Sequence, residues 1–449
     1  MKKKIILACL TITLFSLWGC EKYLNEKPDQ RLSAVETIAD MQALLDNYSD
    51  LNYGDPAMGE ICGDNFFLSD ETLNQRGEYD RNLYVRAGEN VFPPVSNAWA
   101  SGYKQVNIAN TVLQALSDKQ EVIADKAKLA NIKAQALFFR AKSFLNMLGI
   151  WALPYDASSA DGLPGIPLRL DPDLNKPSTR ATLSNCYTRV IEDFRQSISN
   201  LPAKDAVQTR PSKAAAYGML SRVYLQMRDY IQAGNYADSC LQLQRTLLDY
   251  NSLNANANFP IPLLNTEVVF EGRTSHTLMI QSRTLVSREL YNLYAANDLR
   301  KTIFFKLSGI DYLFRGSYEG AANPFTGIST GEELLTRSEC YIRTGRVEEG
   351  LKDLNLLLTN RYKTGSFSPF SGLGKEQALE LIKKERRKEL AFRALRWMDI
   401  RRFNLEGDEI VLKRKVNGRE YTLAPNSPKY ALAIPEDIIQ LSAMSQNTR

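Results

Sequence analysis

The stretch KKERRKELAFRALRWMDIRRF, residues Lys383–Phe403, combines dense charge with large apolar side chains. From Leu390 to Ile400 the apolar residues fall on nearly every side of a helical wheel. A helix that is apolar all round lies buried inside a larger fold. The sequence therefore predicts one buried helix across this stretch, against which the remaining chain must pack.

Charged residues on such a buried helix require partners. Glu389 precedes Arg393 by four positions, and Arg396 precedes Asp399 by three, so each pair is expected to meet on one helix face. Pairs of this kind specify an arrangement more than they stabilise it. The interleaved acids, Glu385 among them, would repel phosphate, and the basic run therefore does not predict a nucleic-acid site.

An internal repeat precedes this stretch. The segment LFFRAKSF (Leu137–Phe144) matches YGMLSRVY (Tyr217–Tyr224) and LLTRSECY (Leu334–Tyr341) in the spacing of its large and small residues. After the second and third copies, further small or apolar residues continue the same phase, with the small residues Ala233 and Gly350 nine positions after Tyr224 and Tyr341. This is the tetratricopeptide pattern, in which small residues let two antiparallel helices approach closely while neighbouring pairs stack into a superhelix.

Long inserts separate the repeats. Leu248–Gly331 contains one predicted strand, Glu267–Glu271, and Val411–Leu423 predicts a hairpin around Asn417-Gly418, a dipeptide suited to a type I′ turn. Gly63–Val85 shows no sustained periodicity and is expected to be an ordered loop. The predicted fold is mainly α, a tetratricopeptide-type α-α superhelix with long loop-rich inserts and small β-hairpin additions. No linker divides residues 20–449, so one domain is expected.

The N-terminus predicts a lipoprotein signal peptide over residues 1–19. Three lysines precede an apolar run from Ile5 to Leu17, which is shorter than the roughly 20 residues that span a bilayer. Leu17-Trp18-Gly19-Cys20 then resembles a lipobox, in which Cys20 receives diacylglycerol and becomes the new N-terminus. Without the leader lysines, the formal charge of +5 falls to about +2, which implies neither nucleic acid nor an acidic membrane surface as partner.

The remaining cysteines and the single histidine argue against metal binding and against a catalytic triad. Cys62, Cys186, Cys240 and Cys340 have no CxxC spacing and only His276 to share a metal, so no zinc site is predicted. A chain of this size can bury a core without disulfides, and buried thiols are expected. His276 lies in GRTSHTLMI without a nucleophile-elbow pattern, and no phosphate loop is visible, so neither an enzyme nor a cofactor is predicted.

Several segments together carry a family resemblance. ERRKELAFRALRWMDIRRF resembles the C-terminal signature helix of the SusD/RagB outer-membrane nutrient-binding lipoproteins, usually written ERR-x-EL-x-F-E-G-x-RW-x-DL-R-R. The chain has Arg393-Ala394 in place of the usual Glu-Gly. Four further segments resemble other markers of the family. They are KAQALFFRAKSFLNMLGIWALPY, Arg210–Leu241, Glu332–Tyr362 and Tyr430–Arg449.

The resemblance implies a function. Family members bind oligosaccharide at the outer face of the outer membrane and deliver it to a SusC-like TonB-dependent transporter, while RagB-type relatives capture peptides. A third hypothesis is a protein-interaction scaffold whose tetratricopeptide groove holds a partner helix. Sugars stack their apolar faces on aromatic rings. The tryptophans of the mature chain all lie in helical signatures (Trp99, Trp151, Trp397), so tyrosine or phenylalanine must provide the stacking ring.

Family members hold ligand on loops outside the repeats, which in this chain points to the inserts Gly63–Val85 and Tyr291–Phe325. Any single tyrosine there can equally pack in the core, and an acid-amide pair can simply close a turn. The candidate ligand-binding residues are the acid-amide pair Asp64 and Asn65, together with Tyr79, Arg81, Tyr291, Tyr294, Tyr312 and Tyr318.

The lipobox generates the first prediction. Cys20→Ala removes the thiol that would carry diacylglycerol, so the variant should leave the membrane fraction for the soluble fraction after cell lysis and ultracentrifugation. Cys186→Ala, which changes a cysteine of a predicted helix, is the matched control and should remain with the membranes. A Cys20→Ala protein retained in the membrane fraction contradicts lipidation at this position.

Overall fold

The computed structural model describes residues 35–119, 124–173, 175–204 and 207–449. The predicted leader and Cys20 lie outside these described residues, so lipidation stays a prediction. Within the described ranges, no helix is both long enough and apolar enough to cross a membrane.

Helices dominate the described chain. They are α1 (Ile38–Leu45), α2 (Tyr48–Leu51), α3 (Met58–Ile61), α4 (Asp70–Asn74), α5 (Glu78–Tyr84), α6 (Ala98–Lys119), α7 (Lys126–Trp151), α8 (Leu183–Ile198), α9 (Lys213–Met227), α10 (Tyr230–Leu243), α11 (Arg288–Asn292), α12 (Arg300–Phe304), α13 (Thr330–Arg343), α14 (Val347–Thr359), α15 (Lys375–Glu389), α16 (Arg396–Leu405) and α17 (Glu436–Ser442).

The long helices pack in series, which confirms the predicted superhelical fold class. Helix α6 packs on α7, and the series continues through α8, α9, α10, α13, α14 and α15. Small residues permit the close approach. A β-carbon on Gly350 of α14 would lie only 2.7 Å from the carbonyl oxygen of Ser338 in α13. Side-chain caps start the repeat helices, as at Ser212 and Ser329, whose hydroxyls accept from backbone N–H groups of the first turn.

The strands are short and antiparallel. They are β1 (Phe66–Phe67), β2 (Pro164–Pro167), β3 (Arg180–Thr182), β4 (Val268–Phe270), β5 (Leu285–Val286), β6 (Phe305–Ser308), β7 (Asp311–Phe314), β8 (Ile328–Ser329), β9 (Leu412–Val416) and β10 (Arg419–Leu423). One sheet has the order β1-β5-β7-β6, and the pairs β2–β3, β4–β8 and β9–β10 stand alone.

Both strand predictions are confirmed in position. The predicted strand Glu267–Glu271 contains β4, which pairs with β8. The predicted hairpin consists of β9 and β10, joined by Asn417 at φ +49° and Gly418 at φ +80°. Positive φ at both central residues is the requirement of the type I′ turn, and it explains why this dipeptide stands there.

The prediction of one helix across Lys383–Phe403 is wrong. Helix α15 ends at Glu389 and α16 begins at Arg396, with Phe392 at φ +59° and Ala394 at φ +58° between them. The break lets the Phe392 ring stack on Phe314 of the insert, with ring centroids 4.3 Å apart. Ala394 stands where the quoted family motif has glycine. Glycine suits this position because an L-residue is strained at a positive φ.

The expected charge pairs within this stretch are also replaced by contacts from distant segments. Arg396 binds Asp64 (Nε to Oδ1, 2.7 Å) rather than Asp399. Glu389 binds Arg361 (2.8 Å) and Arg300 (3.1 Å), while Arg393 donates to the Ser329 hydroxyl. Because this stretch is buried on all sides, charged and polar side chains of distant segments lie within reach of Glu389, Arg393 and Arg396. These contacts take the place of the expected pairs along the helix.

The expectation of a loop across Gly63–Val85 is wrong as well, because β1, α4 and α5 occupy most of it. Ser69 caps α4 by accepting a hydrogen bond from the Thr72 N–H. Helices of five and seven residues are too short to show a periodic apolar pattern, so the sequence gives no signal for them.

One hydrophobic cluster extends from Met41 to Met444 and includes side chains from the repeat helices, the inserts and the final segment. The expectation of buried thiols is confirmed: Cys62, Cys186, Cys240 and Cys340 are buried and unpaired. Trp397 of α16 is fully buried in this cluster, with its ring 4.7 Å from that of Tyr430.

Trp397→Ala should lower the free energy of unfolding by roughly 3–5 kcal/mol, because it leaves a cavity in the core. Urea or thermal unfolding measures the change, and Trp397→Phe, which keeps a ring in place, should lose less. A Trp397→Ala protein that unfolds like the parent but binds no ligand would make this ring a ligand contact instead.

Candidate ligand-binding cleft

The predicted acid-amide pair forms a structural junction, in which Asn65 is buried and Asp64 is half-buried. Asp64 accepts two hydrogen bonds from Arg396 and lies 3.1 Å from Arg387, so these arginines outweigh burial and hold the pKa of Asp64 well below its usual range. Asn65 is 1% exposed and donates to Glu60. Burial raises the pKa of Glu60 to about 7. The pair therefore joins residues 62–65 (the early loop), between α3 and β1, to Lys383–Phe403 (the signature stretch).

Two further buried arginines hold the backbone of the same loop. Arg86 donates to the carbonyl oxygens of Cys62 and Gly63, and Arg414 of β9 donates to those of Ile61 and Gly63. The guanidinium of Arg414 also lies 3.8 Å from the ring centroid of Tyr84 in α5. Segments distant in sequence thus fix the start of the predicted insert.

Two of the candidate tyrosines lie in the core. Tyr294 is 2% exposed and donates to the carbonyl oxygen of Lys388. Tyr318 is fully buried and donates to Glu267. Because both hydroxyls are used within the core, this placement differs from the expected ligand-facing one.

Two other candidates form a half-buried aromatic pair. The rings of Tyr291 and Tyr312 stack with centroids 3.6 Å apart, and the ammonium of Lys301 lies 4.7 Å from the Tyr291 centroid. Burial, with the Tyr312 hydroxyl, raises the pKa of Tyr291 to about 12. The structure therefore brings together Tyr291 of α11 and Tyr312 of β7, at the edge of the core.

Tyr79 and Arg81 lie on α5, half-buried and exposed respectively. Arg81 donates to the carbonyl oxygen of Arg76 at 2.5 Å, which holds its guanidinium over the turn before α5. The residue between them, Asp80, reaches the wall of a large open cleft. The predicted segment thus borders a cavity through Asp80, whereas the sequence analysis selected Tyr79 and Arg81 on either side of it.

This cleft has a volume of about 700 Å³ and is bounded by segments outside the stacked helix pairs, together with the first turn of α6. Ligand sites in proteins are typically concave, of roughly 300–1,000 Å³, with apolar walls and a few placed polar groups. Its walls are residues 53–58, Asp80, 91–93, 96–98, Ser101, 275–277 and Ile280.

Tyr53 supplies the half-buried aromatic ring of the cleft. Its hydroxyl accepts a hydrogen bond from Asn323, and the guanidinium of Arg273 lies 4.4 Å from the ring centroid. Both contacts come from the insert, so the ring is held in a fixed orientation. A rigid ring of this kind can stack against an apolar ligand face.

Asp55 at the floor of the cleft is anchored from several sides. It forms a buried ion pair with Lys142 of α7 and accepts hydrogen bonds from Asn146 and from the Thr326 hydroxyl. This arrangement ties the floor to the repeat helices and to the end of the insert.

Asp80, His276 and Thr277 form the remaining polar wall. Thr277 donates its hydroxyl proton to Asp80 at 2.6 Å, and the Nδ1 atom of His276 accepts from the Leu278 N–H at 3.2 Å. Burial lowers the pKa of His276, with Asp80 acting in the opposite direction.

A second cavity, of about 530 Å³, is bounded by α6, the segment 167–178 and α17. None of the candidate residues predicted from the sequence lines either cavity, but Asp80, between the candidates Tyr79 and Arg81, lies on the wall of the cleft at Tyr53. We favour the cleft at Tyr53 because it borders the predicted segment of α5. Among the described residues, no group of three His, Cys, Asp or Glu side chains could hold a metal ion.

Comparison with known proteins places the chain in a family. A family model described as starch-binding and associating with the outer membrane matches residues 22–225, and a model of the SusD family matches residues 286–437. The chain belongs to the SusD family. A SusD-like protein P2 of Formosa agariphila is 24% identical to it, over 89% of this chain and 90% of that protein.

Solved structures of the SusD superfamily share the fold. One from Bacteroides thetaiotaomicron superimposes with a TM-score of 0.75 at 22% identity, covering 92% of this chain and all of that one. A SusD-like carbohydrate binding protein from Bacteroides vulgatus has a TM-score of 0.67 at 18% identity, covering 91% and 96% of the two chains. At these identities the likeness establishes the fold of this SusD-family protein and not its ligand.

Sequence reasoning missed most of the cleft. Tyr53, Asp55 and His276 stand in short loop segments, and nothing in their local pattern separates them from other loop residues. The breaker-rich run Phe92-Pro93-Pro94 could have indicated an irregular wall before α6. Which loops meet is decided by tertiary contacts such as Arg273 on Tyr53, and these have no local sequence signal.

Proposed function

We propose that this protein is an outer-membrane lipoprotein that binds oligosaccharides at the cell surface, without catalysis, and delivers them to a SusC-like TonB-dependent transporter. The observation that carries the proposal is a cleft of about 700 Å³ in a SusD-family fold, with a fixed aromatic ring beside hydroxyl and carboxylate groups. The family description as starch-binding and associated with the outer membrane supports the ligand class and the location.

The chemistry of the cleft suits a sugar chain. Tyr53 offers a ring for the apolar face of a pyranose, and Pro56 and Ile280 add apolar surface. Asp80 and the hydroxyl groups of Ser96 and Ser275 can exchange hydrogen bonds with sugar hydroxyls. Bound sugar would thus meet both kinds of contact that a carbohydrate requires.

The remaining site candidates are assigned according to their placement. Tyr79 and Arg81 flank Asp80 on α5 but do not line the cleft, so they would act by holding this helix at its edge. The stacked pair Tyr291 and Tyr312 is a further candidate platform, while Asp64, Asn65, Tyr294 and Tyr318 would act by holding the inserts in position. Anchoring through Cys20 and an orientation toward the exterior belong to the same proposal.

Tyr53→Ala tests the site. By analogy with base stacking, one stacked ring contributes roughly 1–3 kcal/mol to the free energy of binding. Its removal should therefore raise Kd about ten- to a hundredfold. Isothermal titration calorimetry measures Kd for maltohexaose, cellohexaose, laminarihexaose and mannohexaose, with thermal melting as the check on folding.

Tyr341→Ala is the matched control. Tyr341 of α13 is also half-buried under an arginine, with Arg346 4.1 Å from its ring centroid, but it does not line the cleft. Its removal should leave Kd unchanged. Equal loss of binding in both variants, or none in either, contradicts the assigned site, and a peptide bound in place of every sugar would favour peptide capture.

A further inference from the structure

The cleft contains few ionisable side chains. Asp55, Asp80 and His276, with the Tyr53 hydroxyl, are the titratable groups on its walls, and neither lysine nor arginine is among the lining residues. The charge that a ligand meets is therefore decided by these groups and their partners.

Asp55 contributes no net charge to the cleft. The buried Lys142 ammonium forms an ion pair with it, and the Thr326 hydroxyl donates to its second oxygen at 2.6 Å. Pairing of this kind neutralises the carboxylate at close range, so a ligand above the floor meets a dipole rather than an anion.

His276 is held in its neutral form by a backbone contact. Its Nδ1 atom accepts the Leu278 N–H, so protonation of that nitrogen would break the hydrogen bond and leave a buried donor without its acceptor. The ring therefore presents a neutral imidazole with its proton on Nε2. It does not supply the cation that would balance Asp80.

Asp80 is left as the uncompensated charge. Its carboxylate accepts a hydrogen bond from the Thr277 hydroxyl, a neutral donor, and its charge acts on the neighbouring His276, whose pKa burial nevertheless lowers. The neighbouring Arg81 donates to the Arg76 carbonyl and does not line the cleft. The Arg273 guanidinium on the Tyr53 ring does not line the cleft and is paired with Glu319 at 3.5 Å, so the lining groups carry one net negative charge.

From this charge balance we infer that the cleft selects uncharged oligosaccharides and rejects acidic ones, with Asp80 as the specificity-determining residue. The inference rests on the proposed function and names the ligand class within it. A sugar hydroxyl can donate to the Asp80 carboxylate, whereas the carboxylate of a uronate, or a sulfate group, has no proton to donate and is repelled. Asp80 is half-buried on the wall of an open cleft, so salt screens the repulsion in part.

The experiment compares matched pairs of ligands. Maltohexaose, cellohexaose, laminarihexaose and mannohexaose are each titrated beside the same chain oxidised at C6 to the uronate, by calorimetry at neutral pH. For the parent protein, each acidic member should bind at least about tenfold more weakly than its neutral partner. Binding of the acidic members should strengthen when salt is raised, because screening weakens repulsion.

Asp80→Asn removes the charge and keeps an oxygen that can accept from Thr277. The ratio of the acidic Kd to the neutral Kd should fall by about tenfold, whatever happens to the absolute affinity. Glu78→Gln removes a carboxylate from the same helix at an exposed position outside the cleft, and it should leave the ratio unchanged.

The possible failures are distinguishable. An acidic sugar that binds as well as its neutral partner, or a ratio that Asp80→Asn does not alter, overturns the inference while the proposed function stands. A protein that binds no member of either series refutes the proposed oligosaccharide function itself.

Discussion

A buried network of ion pairs determines how the inserts sit on the repeat helices. Arg361, just after α14, binds Glu389 of α15 and Glu267 before β4, at 2.8 Å and 2.7 Å, and all three side chains are fully buried. Burial alone would raise the pKa of Glu389, but Arg361 and Arg300 outweigh it and lower that pKa to about 2. Breaking one such pair leaves an uncompensated buried charge, at a cost of roughly 3–5 kcal/mol. Strand β4 leads directly to the cleft wall at 275–277, so the site depends on this network.

The interruption between α15 and α16 adds a second constraint on the same inserts. Because the helix stops at Glu389, the freed Ala394 N–H donates to Glu60, and the Phe392 ring reaches Phe314. A continuous helix would satisfy its own backbone and could make neither contact. The strained φ of Ala394 is therefore held by its own contact to α3 and by the contact of Phe392 to β7. The residues between α15 and α16, which the sequence pattern predicted to be helical, thus connect α3 to β7 of the insert.

The sequence predicted what depends on local spacing and failed where distant segments decide. Gly350 marked a close helix approach, and Asn417-Gly418 marked a turn, because each feature is set within a few residues. The paired charges of the signature stretch have partners far away, so helical spacing misassigned them. Tyr294 and Tyr53 cannot be distinguished in the sequence, yet one is buried against Lys388 and the other lines the cleft.

We propose that these constraints build a ligand-binding cleft lined by residues 53–58, Asp80, 91–93, 96–98, Ser101, 275–277 and Ile280. A crystal structure of the protein with a bound neutral hexaose tests it most directly. A pyranose should stack on the Tyr53 ring, with a sugar hydroxyl donating to Asp80. A sugar seated instead on the Tyr291 and Tyr312 pair, or in the cavity between α6 and α17, would contradict it.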